Sequence, residues 1–291
     1  MLVLGNADYS APARGIAALL GMAYAELEVH RFPDGESRVK LPTPLPAHLI
    51  IVCTLNRAND RLVELLLLAH TARRHGAERL TLVAPYLCYM RQDLEFSPGE
   101  AVSQRIVGRF LGELFDDVLT VDPHLHRIER LDQAIASGNP VMLTAAAPIA
   151  AEIGRRWPDA LLLGPDGESQ QWVERIAAIG GLDSAVSHKD RFGDRDVRVA
   201  LPATAVDGRT VVLIDDIAST GRTLAVAASQ LRERGAAAVH ACVTHALLSA
   251  QALADLHAAG IDTVLSTNSV PHPTNAIALE PLLAEAISTL R

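Results

Sequence analysis

The stretch "VVLIDDIASTGRTL", residues 211–224, decides the fold. Four apolar residues run into two adjacent acids, Asp215 and Asp216. Ser219, Thr220, Gly221, Arg222 and Thr223 then make a hydroxyl-rich turn, followed by an alanine-rich run. A continuous apolar strand marks a parallel sheet covered on both faces, and such sheets bind ligands at the carboxyl ends of their strands. The turn opens a helix. Its free N–H groups and three hydroxyls form an anion cradle, helped by the helix dipole. The two carboxylates would repel a phosphate, so they face something else. Sugar hydroxyls suit them, because carboxylates accept hydrogen bonds. Phosphate in the turn and ribose on the acids together describe one phosphorylated pentose. The plainer alternative is an acidic strand end followed by an ordinary helix cap, but a cap alone does not need this density of hydroxyls.

Outward from this stretch, short apolar runs alternate with longer amphipathic ones. Strands are expected at 49–54, 80–85, 118–121, 160–164, 211–215 and 238–244. Helices are expected at 12–20, 60–75, 103–115, 169–179, 221–234 and 249–259, with Gly76, Gly180, Gly235 and Gly260 placed where they should stop. The alternation argues for α/β architecture with parallel sheets. The order strand, helix, strand from Ile51 through Asp60 to Leu80 recurs from Val211 through Gly221 to Ala238. That suggests two α/β domains, as a duplication would produce. We place the boundary within 139–148, giving domains 1–145 and 146–291, with a final helix at 276–290 that can pack on either.

A chain of 291 residues suits two domains, and 49% hydrophobic content indicates a globular protein. No apolar run reaches the ~18 residues of a spanning helix, and the start lacks a signal peptide's basic, then apolar, pattern. A soluble cytoplasmic protein without membrane contacts is expected. Cys53, Cys88 and Cys242 are far apart and lie in or beside apolar runs, as reduced, packed thiols do. A net charge of −8 argues against a nucleic-acid groove, so any anionic ligand needs a local cluster of donors. Only two residues are lysines, Lys40 and Lys189, which makes each worth attention. The histidines form no H-x-x-x-H or H-x-x-E-H pattern, which argues against zinc.

The opening stretch resembles the phosphoribosyl diphosphate (PRPP) loop of the type I phosphoribosyltransferase fold. That loop is shared by transferases and by PRPP synthetases, the ribose-phosphate diphosphokinases. Other segments resemble the synthetases specifically. "RFPDGESRVKL" is similar to their F-x-D-G-E segment. "APYLCYMRQDLEFSPGEAVS" is similar to P-Y-x-x-Y-x-R-Q-D with the F-x-P-G-E continuation of archaeal-type members. "VDPHLHRIE", "GPDGESQQWV" and "SHKDR" resemble the D-x-H, P-D and K-x-R segments. All stand in the family order across about residues 30 to 225. The resemblance implies two doubly wound parallel-sheet domains of phosphoribosyltransferase type, in a shorter, archaeal-type member. It implies transfer of the β,γ-diphosphoryl group of Mg-ATP to ribose 5-phosphate, giving PRPP and AMP.

The resemblance also distributes roles. Phe32, Asp34, Gly35 and Glu36 form a turn that reaches a neighbouring subunit's nucleotide, so a homo-oligomer of at least two chains is implied. Phe32 can cover an adenine face while the acids accept from its amino group or ribose. Arg91 offers a planar fork for triphosphate oxygens, Gln92 can donate or accept, and Asp93 can hold Arg91. His124 and Asp166 associate with Mg²⁺, which prefers oxygen ligands and keeps waters; His126 is a weaker candidate. Lys189 and Arg191 close over the transferring group as catalytic loop cations, and Arg191 also reaches ribose 5-phosphate. Asp215, Asp216, Ser219, Thr220, Gly221, Arg222 and Thr223 hold the sugar phosphate. Departures are Arg222, where the family has Gly or similar, and Asp190 between the two cations. Two rivals stand beside this reading: a PRPP-using phosphoribosyltransferase, against which the N-terminal half argues, and a catalytically silent regulatory subunit, which should have lost Lys189, Arg191 or the loop, all of which are present.

Overall fold

The computed structural model describes residues 1–125, 127–136, 138–191, 197–200 and 206–290, with the side chains of 188–191 and 197–200 excepted. The chain divides into two compact units, Met1–Leu143 with Leu279–Arg291, and Thr144–Ala278. The first unit begins with β1 (Leu2–Asn6), α1 (Ser10–Leu19), β2 (Ala23–Arg31), β3 (Ser37–Lys40), β4 (His48–Val52) and α2 (Ala58–Arg74). It continues with β5 (Arg79–Val83), α3 (Ser103–Leu114), β6 (Asp117–Val121) and β7 (Asn139–Leu143). The second unit holds α4 (Ala146–Arg156), β8 (Leu161–Gly164), α5 (Gln170–Gly180), β9 (Ser184–Val186), β10 (His188–Arg191) and β11 (Val197–Ala200). Then come β12 (Thr210–Ala218), α6 (Arg222–Glu233), β13 (Ala238–Ala246), α7 (Ala250–Ala258), β14 (Thr263–Thr267) and β15 (Asn275–Ile277). Last, α8 (Glu280–Ser288) returns to the first unit.

The first sheet has the order β3-β2-β1-β4-β5-β6-β7, parallel except where β3 pairs antiparallel with β2. The second has the order β15-β14-β13-β12-β8-β9, with parallel pairs throughout. Leaving out β3, the two sheets share one connectivity. Strand order reverses between β1 and β4 in one and between β8 and β12 in the other, which makes those crevices the places where such sheets take ligands. The central strands are buried along nearly their whole length, with β6 buried at every residue. Leu, Ile and Val therefore face helices on both sides, which is why these runs are continuously apolar. On the first unit, α8 buries Leu283, Ala284 and Ile287. Gly15 on α1 admits it closely, since a Cβ there would stand 3.1 Å from Glu280 Cγ.

The region 139–148, expected to hold the boundary, contains β7 and the start of α4. Pro140 is allowed because β7 is an edge strand, and Pro148 because it lies in the first turn of α4, where an N–H has no helical partner. The chain divides between Leu143 and Thr144. α5 runs through Gly180, and the left-handed cap is Gly181, with φ 64°. β12 does not stop at Asp215; the nine-residue β13 keeps it paired as far as Ala218, although its pairing with β8 ends at Leu213. Among the described residues no helix is long and apolar enough to cross a membrane. All three cysteines are buried free thiols, and burial pushes each up to about 12.

Candidate active site

In the second unit the switch crevice lies between β8 and β12. Asp166 follows β8 and caps a 3-10 turn, its Oδ1 accepting from Glu168 N at 3.1 Å and Ser169 N at 3.3 Å. Asp216, on β12, is buried, and its Oδ1 accepts from Ile217 N at 2.7 Å. Asp215 is partly exposed and accepts from Asp216 N at 3.0 Å. Loss of water, then Asp216, then Asp166 raise the Asp215 carboxyl well above its ordinary value. Asp216 and Asp166 thus stand close enough to Asp215 to oppose its ionisation.

Asp215 and residues 217–224 line a small pocket of about 90 Å³. Ser219 and Thr220 lie in the turn, and Arg222 and Thr223 are the first residues of α6. Gly221 precedes the helix in the left-handed region, with φ 71°, and no side chain caps it there. A Cβ at Gly221 would also meet Leu256 Cδ2 at 3.0 Å, so strain and crowding both demand glycine. Thr220 Oγ1 takes the Arg222 N–H at a long 3.4 Å. Donors at the start of α6 therefore face a glycine turn, which is the geometry of an anion site.

In the first unit Arg91 and Gln92 lie in the long connection between β5 and α3, and His124 lies just after β6. β5 and β6 are paired neighbours, so these residues share one stretch of sheet edge. Two non-glycine residues among those described have left-handed backbone, Tyr89 (φ 62°) and Asp122 (φ 37°), and both are in these two loops. Such strain persists only where the surroundings impose it, and it gathers at functional sites. Phe32, Asp34, Gly35 and Glu36 sit elsewhere, on the turn joining β2 and β3. Glu36 N bonds Asp34 Oδ1 at 3.1 Å, and His30 meets Phe32 edge-on, leaving the ring 40% exposed. β2 is three strands from β5, about 14 Å at ordinary strand spacing.

Lys189 and Arg191 lie on β10, paired antiparallel with β11, rather than in a loop. Their side chains lie outside the described residues, as does His126 altogether. Asp93, expected as a support for Arg91, is buried and accepts a 2.5 Å bond from Arg127. Arg127 stands in the same VDPHLHRIE segment as His124, but nothing in that segment singled it out, and only its place in space marks it. The first unit's own switch crevice is a pocket of about 220 Å³ bordered by Arg31, Arg57 and Arg61. Those three cations pair with Asp8, Asp60 and Glu64, so the crevice has no surplus of positive charge. Matching Gly5 with Gly164 and following the registers puts Cys53 and Thr54 where Asp215 and Asp216 stand. Among the described residues no three His, Cys, Asp or Glu side chains form a metal cage.

Two doubly wound units with polar loops gathered at their strand ends define a two-unit α/β protein whose sheet edges are laid out for ligands. Residues 1–114 match the family model of the N-terminal domain of ribose phosphate pyrophosphokinase, and residues 184–290 that of the phosphoribosyl synthetase-associated domain. The chain is 33% identical to the ribose-phosphate pyrophosphokinase of Methanopyrus kandleri, covering 100% of this chain and 99% of that protein. It is 32% identical to that of Thermococcus kodakarensis, covering 90% and 92%. The crystal structure of phosphoribosylpyrophosphate synthetase from Mycobacterium smegmatis superposes with a TM-score of 0.85 at 26% identity, covering 99% of this chain and 97% of that one. The chain belongs to the ribose-phosphate pyrophosphokinase family.

Proposed function

We propose that the protein transfers the β,γ-diphosphoryl group of Mg-ATP to the anomeric hydroxyl of ribose 5-phosphate, giving PRPP and AMP. The observation that carries this is the uncapped, glycine-led start of α6 beside Asp215. Donors at residues 219–223 take the 5-phosphate, and Asp215 and Asp216 accept from ribose hydroxyls. Arg91 and Gln92 hold ATP phosphates. The anomeric oxygen attacks the β-phosphorus in line, and AMP leaves. Such transfers ask the protein mainly for positioning and charge neutralisation. Lys189 and Arg191 supply the latter.

The donor set suits Mg²⁺, a hard cation that takes carboxylate oxygens and keeps waters and phosphates as its other ligands. Asp166, whose two N–H bonds both use Oδ1, offers Oδ2, and His124 serves at the nucleotide side. Bound at Asp166, the ion would supply charge neutralisation on the diphosphoryl oxygens. A cation would also oppose the burial and neighbouring carboxylates that raise the Asp215 carboxyl. We place the activity in the cytoplasm, where buried free thiols stay reduced.

The test is phosphorus NMR of the protein with Mg-ATP and ribose 5-phosphate. AMP and PRPP should appear together, and only when the sugar phosphate is present. ADP with a singly phosphorylated product would overturn the proposal, and consumption of PRPP with a free base would favour a transferase.

The turn bearing Phe32, Asp34 and Glu36 joins β2 and β3, three strands from β5, whose following loop carries Arg91. We propose that it completes the ATP site of a second copy, so the active form is at least a dimer. Light scattering at assay concentration should find no active monomer; a fully active monomer would refute the arrangement.

A further inference from the structure

Resting on the assignment of Arg91 and Gln92 to ATP, we infer that Arg127 is a positioning residue that clasps their loop in its binding shape. The β5–α3 connection, residues 84–102, has no helix or strand of its own. A segment of that length needs outside support to hold one conformation. Its first half is anchored at both sides. Tyr89 Oη donates to Asn59 Oδ1 at 2.5 Å, and the buried Gln104 donates from Nε2 to Met90 O at 3.0 Å and from its backbone to Gln92 O at 3.1 Å.

The second half, residues 94–100, has less to hold it. Leu94 and Phe96 are exposed, Phe96 by 58%. Glu100 ties the segment back, its Oε2 accepting from Gln92 Nε2 at 3.3 Å and from Phe96 N at 3.1 Å. Arg127 comes from a different loop, three residues beyond His124. Its Nη1 donates to Asp93 Oδ1 at 2.5 Å, and its guanidinium lies over the Phe96 ring, 5.5 Å from the centroid. One side chain therefore grips the loop on both sides of its bend.

The chemistry favours this grip. Asp93 is only 3% exposed at its side chain, and a buried carboxylate is costly without a cation. The flat guanidinium can bond the carboxylate at its edge while its face covers an aromatic ring. Through the Nη1 bond to Asp93 and the ring contact with Phe96, Arg127 acts on the loop. It fixes the segment from Gln92 to Glu100, and with it the direction of Arg91 and the Gln92 amide. It also ties that segment to the His124 loop, so the two loops move as one body.

The experiment compares Arg127→Ala, Arg127→Lys, Phe96→Leu and the double variant Arg127→Ala/Asp93→Asn by steady-state kinetics, ATP calorimetry and melting. Arg127→Ala should raise KM for Mg-ATP about tenfold, with kcat within about threefold and KM for ribose 5-phosphate unchanged. Arg127→Lys should recover part of the loss through the ion pair, and Phe96→Leu should show a smaller rise. The double variant removes the unpaired buried charge, so it should regain melting temperature but not ATP affinity. A merely structural Arg127 would regain both, and that result overturns the inference. So does an Arg127→Ala enzyme with unchanged KM for ATP, or one in which both substrates weaken equally. Should the wild type bind ATP but form no AMP, the proposed reaction falls while calorimetry still decides the clasp. If the wild type binds no ATP, both fall.

Discussion

Lys189→Ala should lower kcat by ~10²-fold or more while ATP and ribose 5-phosphate still bind, because a cation aimed at developing charge acts mainly in the transition state. Lys189 is one of two lysines in the chain, and it stands two residues before Arg191 on β10. β10 pairs with β11 in a two-stranded ribbon, separate from the two large sheets. A ribbon with no neighbouring strands is well suited to carry charge over a site built elsewhere. Lys189→Arg should rescue poorly if a compact ammonium is required, since the guanidinium is a broad planar fork. Arg191→Ala should also weaken ribose 5-phosphate, because its fork can reach a phosphate oxygen before reaction. Steady-state kinetics with binding by calorimetry gives the answer. Near wild-type kcat with a raised KM would mean that Lys189 contributes uniform binding, and the transition-state role would be wrong.

Asp215→Asn should both weaken ribose 5-phosphate and stabilise the free protein. A hydrogen bond to a charged group is worth about 1.5–3 kcal/mol, so affinity should fall roughly tenfold to a hundredfold. The stability effect follows from the raised carboxyl. The folded protein keeps a proton on Asp215 that the unfolded chain releases above its ordinary value near 3.9. Native stability therefore falls as pH rises from about 4 through the raised folded value. Asparagine has no proton to lose, so at pH 7, with EDTA present, the variant should melt a few degrees higher, about 2–4 °C per kcal/mol for a protein of this size class. Near pH 3.5 the difference should shrink towards zero. Scanning calorimetry across pH, with an isotherm for the sugar phosphate, measures both. A variant that melts lower at pH 7, or binds ribose 5-phosphate as tightly as before, would remove Asp215 from the proposed site. A residue that lowers stability where it serves chemistry is a familiar compromise.

The α/β class was legible because buried parallel strands leave an unmistakable residue pattern: β4, β5 and β6 are apolar runs with no polar alternation. β2 was not legible, since it lies near an edge and mixes exposed and buried positions. β7 and α4 were hidden by Pro140 and Pro148, whose usual meaning as breakers is suspended at an edge strand and in a first helical turn. Strand order is a property of pairing across the chain, and local pattern does not encode it. For that reason the distance between the Phe32 turn and the Arg91 loop emerges only from the sheet. The Arg127–Asp93 bond is similarly silent in sequence, spanning 34 residues and carrying no spacing rule. The shared connectivity of the two sheets gives the repeat noticed at Ile51 and Val211 a structural form. By register, Cys53 and Thr54 occupy in the first unit the positions that Asp215 and Asp216 occupy in the second.

The return of α8 to the first unit sets an order of events during synthesis. The ribosome finishes β1 to β7 and then makes the whole of the second unit before the residues that cover α1 exist. At 5–20 residues per second that interval is on the order of ten seconds. Throughout it the nascent first unit lacks Leu283, Ala284 and Ile287, and the α1 face they bury stands open to water. Chaperone demand should therefore persist while the second unit is made, and a stalled ribosome holding the first unit without α8 should present an adhesive helix face until α8 emerges to close it.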